Sequence, residues 1–167
     1  MEPPETNRYQ TGFRRLFAAI IDGIIFIPLS AMEQWIFKDT VHLPLAISST
    51  IFFALLPLVY SIFLHYKYGQ TLGKRIAGVK VLDISETRLL TLRQSVFRDG
   101  FYLIVEVVGL CYFLSQINKP EYLQKNYSDF AAQPIIWWTV IELVTMLTNK
   151  KKRAIHDLIA GSVVVRV

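Results

Sequence analysis

Apolar residues in this chain fill whole stretches rather than recurring at every second or every third to fourth position. Helices that are apolar all round are membrane spans or deep cores. Four stretches qualify, at about residues 15–37, 43–66, 99–117 and 128–149, with Pro57 a kink in the second. The fourth is the weakest. Its apolar core, residues 135–147, falls short of the roughly 20 residues a span needs. It reaches that length only by starting near Ser128 and tolerating Asp129 and Pro134. Residues 1–13, with Pro3 and Pro4, predict a disordered lead, and residues 118–127 a loop.

Two shorter segments carry a different pattern. Residues 78–83 and 161–167 alternate and are rich in valine, which predicts two strands paired as a small sheet. Residues 89–98 place Leu89, Leu92, Val96 and Phe97 on one side, either as an interfacial helix or as an extension of the third span. The expected fold is an all-α membrane protein: one domain over residues 14–167, built as a bundle of four transmembrane helices with a short two-stranded β-pair. No internal repeat is visible.

Composition strengthens the membrane reading. Of 167 residues, 53% are hydrophobic and 19% charged, more apolar and less charged than an ordinary soluble domain. The net charge of +5 comes from basic residues beside the spans, which argues against nucleic acid as a partner. All 18 Lys and Arg except Lys38, Lys119 and Lys125 fall on one side of the four spans. The positive-inside rule then puts both termini and residues 67–98 in the cytoplasm of a multi-pass protein of the inner or plasma membrane. Trp137 and Trp138 are expected in the outer interface belt, and Tyr66 and Tyr68 in the inner one. Cys111, the single cysteine, makes no internal disulfide. No cleavable signal peptide is visible, and the first span is expected to act as an uncleaved anchor. No lipidation motif is evident.

Asp22, Glu33, Glu106 and Glu142 lie inside the apolar stretches. A charge at bilayer depth costs at least a few kcal/mol, so such residues are paired, line a wet cavity, or carry an ion or proton. Arg15, Asp22 and Glu33 share one helix face; Tyr102 and Gly109 lie on that of Glu106, and Trp138, Thr145 and Asn149 on that of Glu142. With Tyr60, Ser61 and His65 of the second stretch they could line one polar seam. A carboxylate in low dielectric has its pKa raised and can exchange a proton for a cation. The structural alternative is a bundle held by buried ion pairs, such as Arg15 with an acid from another helix, or an acid facing a partner subunit.

Other chemistry has less behind it. His156-Asp157 lacks a second ligand cluster with metal spacing. The run from Gly69 to Arg75 has three residues between its glycines and Arg after Lys, so it is not a nucleotide-binding loop. Its basic residues are expected to meet lipid headgroups. No cofactor, metal site or enzyme nucleophile is expected.

Residues 14–22, Arg-Arg-Leu-Phe-Ala-Ala-Ile-Ile-Asp, resemble the opening motif of the RDD family of small bacterial membrane proteins, named for an arginine and two aspartates. Residues 69–83 resemble its central motif, Arg98 resembles the arginine that enters the following span, and residues 152–165 resemble its closing motif. The resemblance assigns the name residues to Arg15, Asp22 and Asp157. It implies a membrane protein, often described as a transporter, with some relatives proposed to exchange sodium or lithium for protons. The expected function is therefore proton-coupled exchange of sodium, lithium or potassium through Asp22, Glu33, Glu106 and Glu142. Arg15, Arg98 and Asp157 would form a gating or bracing network. The alternative is a non-transporting accessory or scaffold subunit binding a partner protein or anionic lipid. Partners expected are the lipid bilayer, small cations or protons, and further copies of the chain in a homo-oligomer.

Overall fold

The structure, a computed structural model, describes residues 8–36, 43–115 and 123–167, the side chains of 33, 34, 36, 43, 46, 113 and 123–133 apart. It is mostly helical. In chain order the elements are α1 (Gly12–Ile36), α2 (Leu43–Tyr68), α3 (Leu72–Ile76), β1 (Val79–Asp83), α4 (Leu92–Ser115), α5 (Leu123–Thr148), α6 (Ile155–Ala160) and β2 (Ser162–Arg166). Two helices are long and apolar enough to cross a membrane. Gly12–Met32 and Ile47–Tyr68 have mean hydropathies of 1.8 and 2.1, yet only 6% and 17% of those stretches is buried within the protein. Phe13, Ile24, Ile27, Phe52 and Val59 all stand exposed along them. A soluble core helix would bury such side chains, so these surfaces suit lipid. Pro28 and Pro57 sit inside these helices, as membrane helices tolerate.

α4 and α5 are long helices that do not meet that standard. α4 carries Arg93, Arg98, Asp99 and Glu106. The apolar part of α5, Pro134–Thr148, is short. The expectation of four spans thus narrows here to two membrane-capable helices beside two more polar ones. α4 is continuous from Leu92, so residues 92–98 extend it rather than forming a separate interfacial helix. α5 starts at Leu123, inside the stretch expected to be a loop. Trp138 stacks on Phe101 of α4 with ring centroids 4.0 Å apart, while Trp137 is exposed.

The tightest core lies at one end of the helices, around the sheet. β1 and β2 pair antiparallel from Val79 opposite Arg166 to Asp83 opposite Ser162, the pairing expected from the two valine-rich segments. Val79, Val81 and Val164 are buried with Ala18, Ala77 and Leu90. Gly161, at φ +62°, ends α6 in a left-handed turn that feeds β2. The chain ahead of α1 joins this end: Thr11 is buried, and the Tyr9 hydroxyl donates to Glu86 at 2.7 Å. Arg8 and Lys151 pair with the same carboxylate. Residues 8–13, within the lead expected to be disordered, are therefore part of the fold. α2 packs on α4, α1 on α3, and α6 on α4, so three chain-distant segments meet at the sheet end.

Candidate functional site

Asp22, one turn past the middle of the first half of α1, is saturated by α2 and α3. Its Oδ1 accepts from the Tyr60 hydroxyl at 2.9 Å and the Gly73 N–H at 2.8 Å, and its Oδ2 from the Thr71 hydroxyl at 2.6 Å. Thr71 also caps α3, accepting from the Lys74 N–H, and Tyr60 accepts from the Leu72 N–H. One carboxylate thus holds the start of a five-residue helix that could not persist alone. Gly73 permits the approach: a Cβ there would fall 2.8 Å from the Asp22 carboxyl carbon and into the Ala18 carbonyl.

Arg15 does not pair with Asp22. Its guanidinium donates to Asp157 Oδ2 at 2.6 Å, and Arg98 donates to Asp157 Oδ1 at 2.5 Å. The Ser162 hydroxyl and the Ala154 N–H complete the shell of that wholly buried carboxylate. Burial pushes Asp157 up, but the charges of Arg98 and Arg15 override it and hold the carboxyl well below its ordinary range. Arg98 also reaches His156, whose other ring nitrogen meets the Glu142 carboxylate. Arg15, Asp157, Arg98, His156 and Glu142 therefore form one chain of contacts linking α1, α4, α5 and α6. Arg15, Arg98 and Asp157, grouped by the sequence, are in contact, and Glu142 joins them through His156.

Two cavities open on the inner helix faces. One, of about 250 Å³, is lined by Arg15, Asp22, Tyr60, Ser61, Thr71 and Lys74, among others. The second, of about 210 Å³, is lined by Ser61, Asp99, Tyr102 and Glu106 with Ala54, Pro57 and Leu58. Each has room for several waters. Pro57 and Ser61 stand in the wall of both. The expected polar seam thus includes Asp22 and Glu106 but not Glu142, which lines neither cavity. The Glu33 side chain lies outside the described residues.

Sequence reasoning missed Asp99 and Lys74 as site residues. Asp99 accepts from Ser61 at 3.1 Å and lies 3.6 Å from His65 Nδ1. Lys74, expected at lipid headgroups, turns inward instead, its Nζ 2.9 Å from His65 Nε2. Burial of that amine lowers its pKa from 10.5 to about 8. The spacing of Asp99, Tyr102 and Glu106 at i, i+3 and i+7 was the signal for the first. Nothing local marks Lys74 among the exposed basic residues around it. Among the described residues no group of three or more His, Cys, Asp or Glu is arranged to hold a metal.

These features define a mostly helical membrane protein in which Arg15 and Arg98 converge on Asp157 beside the sheet and Asp22 holds α3 against α1. The chain belongs to the RDD family, whose model matches residues 9–161 and so includes Arg15, Asp22 and Asp157. Uncharacterized protein YckC of Bacillus subtilis (strain 168) is 29% identical over 155 residues, covering 90% of this chain and 80% of its own length. No solved structure matches the chain.

Proposed function

We propose that the protein crosses the cell membrane four times, α4 and α5 completing the bundle, with both termini and the sheet in the cytoplasm. We further propose that it exchanges sodium, lithium or potassium for protons. The observation that carries this reading is the wall shared by the two cavities. Asp22 lines the first, Asp99 and Glu106 line the second, and Ser61 lines both. A polar route between carboxylates in adjoining cavities is what an ion or proton path needs. Asp22 and Glu106 are the exchange carboxylates, with Asp99 added to them. Arg15, Arg98 and Asp157, with His156 and Glu142, brace the cytoplasmic mouth. Four helices make a thin wall, which a homo-oligomer would thicken.

One observation favours the accessory or scaffold reading: Asp22 and Asp157 are already saturated by protein donors. Purified protein in liposomes holding a pH-sensitive dye separates the two. Exchange predicts proton movement when sodium, lithium or potassium is added, lost in Glu106→Gln at unchanged melting temperature. Asp22→Asn keeps an acceptor for Tyr60 and Gly73, so it too should fold while losing flux. Folded wild-type protein that moves no protons with any of the three cations would favour the accessory subunit.

A further inference from the structure

The two cavities are joined by side chains as well as by a wall. The Lys74 ammonium has only protons to offer, so His65 Nε2, 2.9 Å away, must be the acceptor. The neutral ring then carries its proton on Nδ1, which faces Ser61 Oγ at 3.3 Å. Ser61 donates its own proton to Asp99 Oδ2 at 3.1 Å. Every donor points the same way, from Lys74 in the wall of the first cavity to Asp99 in the wall of the second. His65 is 1% exposed, so its ring reaches Lys74 and Ser61 without bulk water between them.

We propose that Lys74, His65, Ser61 and Asp99 form the wire by which the proton of the exchange passes between the two cavities. The proposal rests on the exchange reading and assigns its proton-carrying residues. One concerted step moves three protons by one place each. Lys74 gives a proton to His65 Nε2, His65 Nδ1 gives one to Ser61, and Ser61 gives one to Asp99. The products are a neutral amine and a neutral carboxylic acid, and no imidazolium forms. The Asp99 proton leaves to the second cavity when a cation beside Asp99 and Glu106 favours the ionised carboxylate. Ser61 then takes a proton from water of the first cavity, whose wall it also lines, and passes its own to His65 Nδ1 as Nε2 returns one to the Lys74 amine, which restores the starting state.

The groups facing Lys74 set its readiness. His65 comes from α2, Arg98 and Asp99 from α4, and Arg15 and Asp22 from α1. Burial and Arg98 act to weaken its hold on the proton, with Asp99 and Asp22 opposing them. The resulting pKa of about 8 lets Lys74 exchange protons with water near neutral pH.

Liposome flux and nitrogen NMR test the wire together. His65→Gln and Ser61→Ala should slow sodium-for-proton exchange by about tenfold or more relative to sodium-for-sodium counterflow in the same vesicles. Glu106→Gln should lose both. Undiminished proton exchange in both wire variants would overturn the wire and leave the exchange reading standing. Wild-type protein that carries neither cation nor proton would overturn both. A second measurement needs no variant: in ¹⁵N-histidine protein at pH 7, His65 should carry its proton on Nδ1. A proton resident on Nε2 would overturn the wire.

Discussion

Replacing Asp157 with asparagine is expected to destabilise the protein by about 3–5 kcal/mol, the usual consequence of removing one partner from a buried ion pair. Asp157 is wholly buried between Arg15 and Arg98, and Arg98 is itself only 4% exposed. Asparagine is nearly the same shape, so packing survives. What is lost is the negative charge that offsets two guanidinium groups, and an amide N–H would now face one of them. The aspartate also accepts from the Ala154 N–H at the start of α6, so the helix loses its tie as well. Thermal unfolding in detergent, followed by the fluorescence of the three tryptophans, should show the loss. Replacing Glu142, which is half-buried and meets only one end of the network, should cost less. The same pair gives a pH dependence with a definite sign. Asp157 holds its proton less tightly when folded than its ordinary value of 3.8. Its contribution is therefore complete above about pH 4 and drains away as the pH falls below that value. Asp157→Asn should flatten this acid limb.

Gly73→Ala is expected to be nearly as damaging, by about 1–3 kcal/mol or somewhat more, through overpacking rather than lost charge. A methyl group there would meet the Ala18 carbonyl and the Asp22 carboxylate, one of them backbone that cannot step aside. α3 would have to move off α1, and the hydrogen bonds from Gly73 and Thr71 to Asp22 would lengthen together. Asp22→Asn leaves room and one acceptor oxygen, so it should lose far less stability than Gly73→Ala. The melting temperatures of the two variants check this order. A Gly73→Ala protein as stable as the wild type would mean that the α1–α3 contact is loose.

The parts of this fold that a reader of the sequence can see are those written in local pattern. The two valine-rich segments alternate, and they pair. The lipid-facing length of α1 and α2 is plain in their composition. Arg15, Arg98 and Asp157 stand out through the family motifs they occupy, but their separation along the chain hides which of them meet. Charges inside α4 and α5 blur the same signal, which is why hydropathy alone supports two spans. The least legible features depend on which way one side chain turns. Lys74 stands in a basic run beside exposed Arg75, and only the docking of α3 on Asp22 sends it inward to His65. Glu142 shared a helix face with plausible path residues, but α6 brings His156 against it from fourteen residues on.

Exchange, the wire and the brace all require that the sheet end of the helices faces the cytoplasm and that α4 and α5 cross the bilayer. Cysteine accessibility in intact cells tests that claim most directly. In a Cys111→Ser background, Ser85→Cys marks the loop after β1 and Lys119→Cys the connection between α4 and α5. Four spans with the sheet inside predict that a membrane-impermeant thiol reagent labels Lys119→Cys in intact cells, and Ser85→Cys only after permeabilisation. Labelling of Ser85→Cys from outside, or protection of Lys119→Cys, would contradict it.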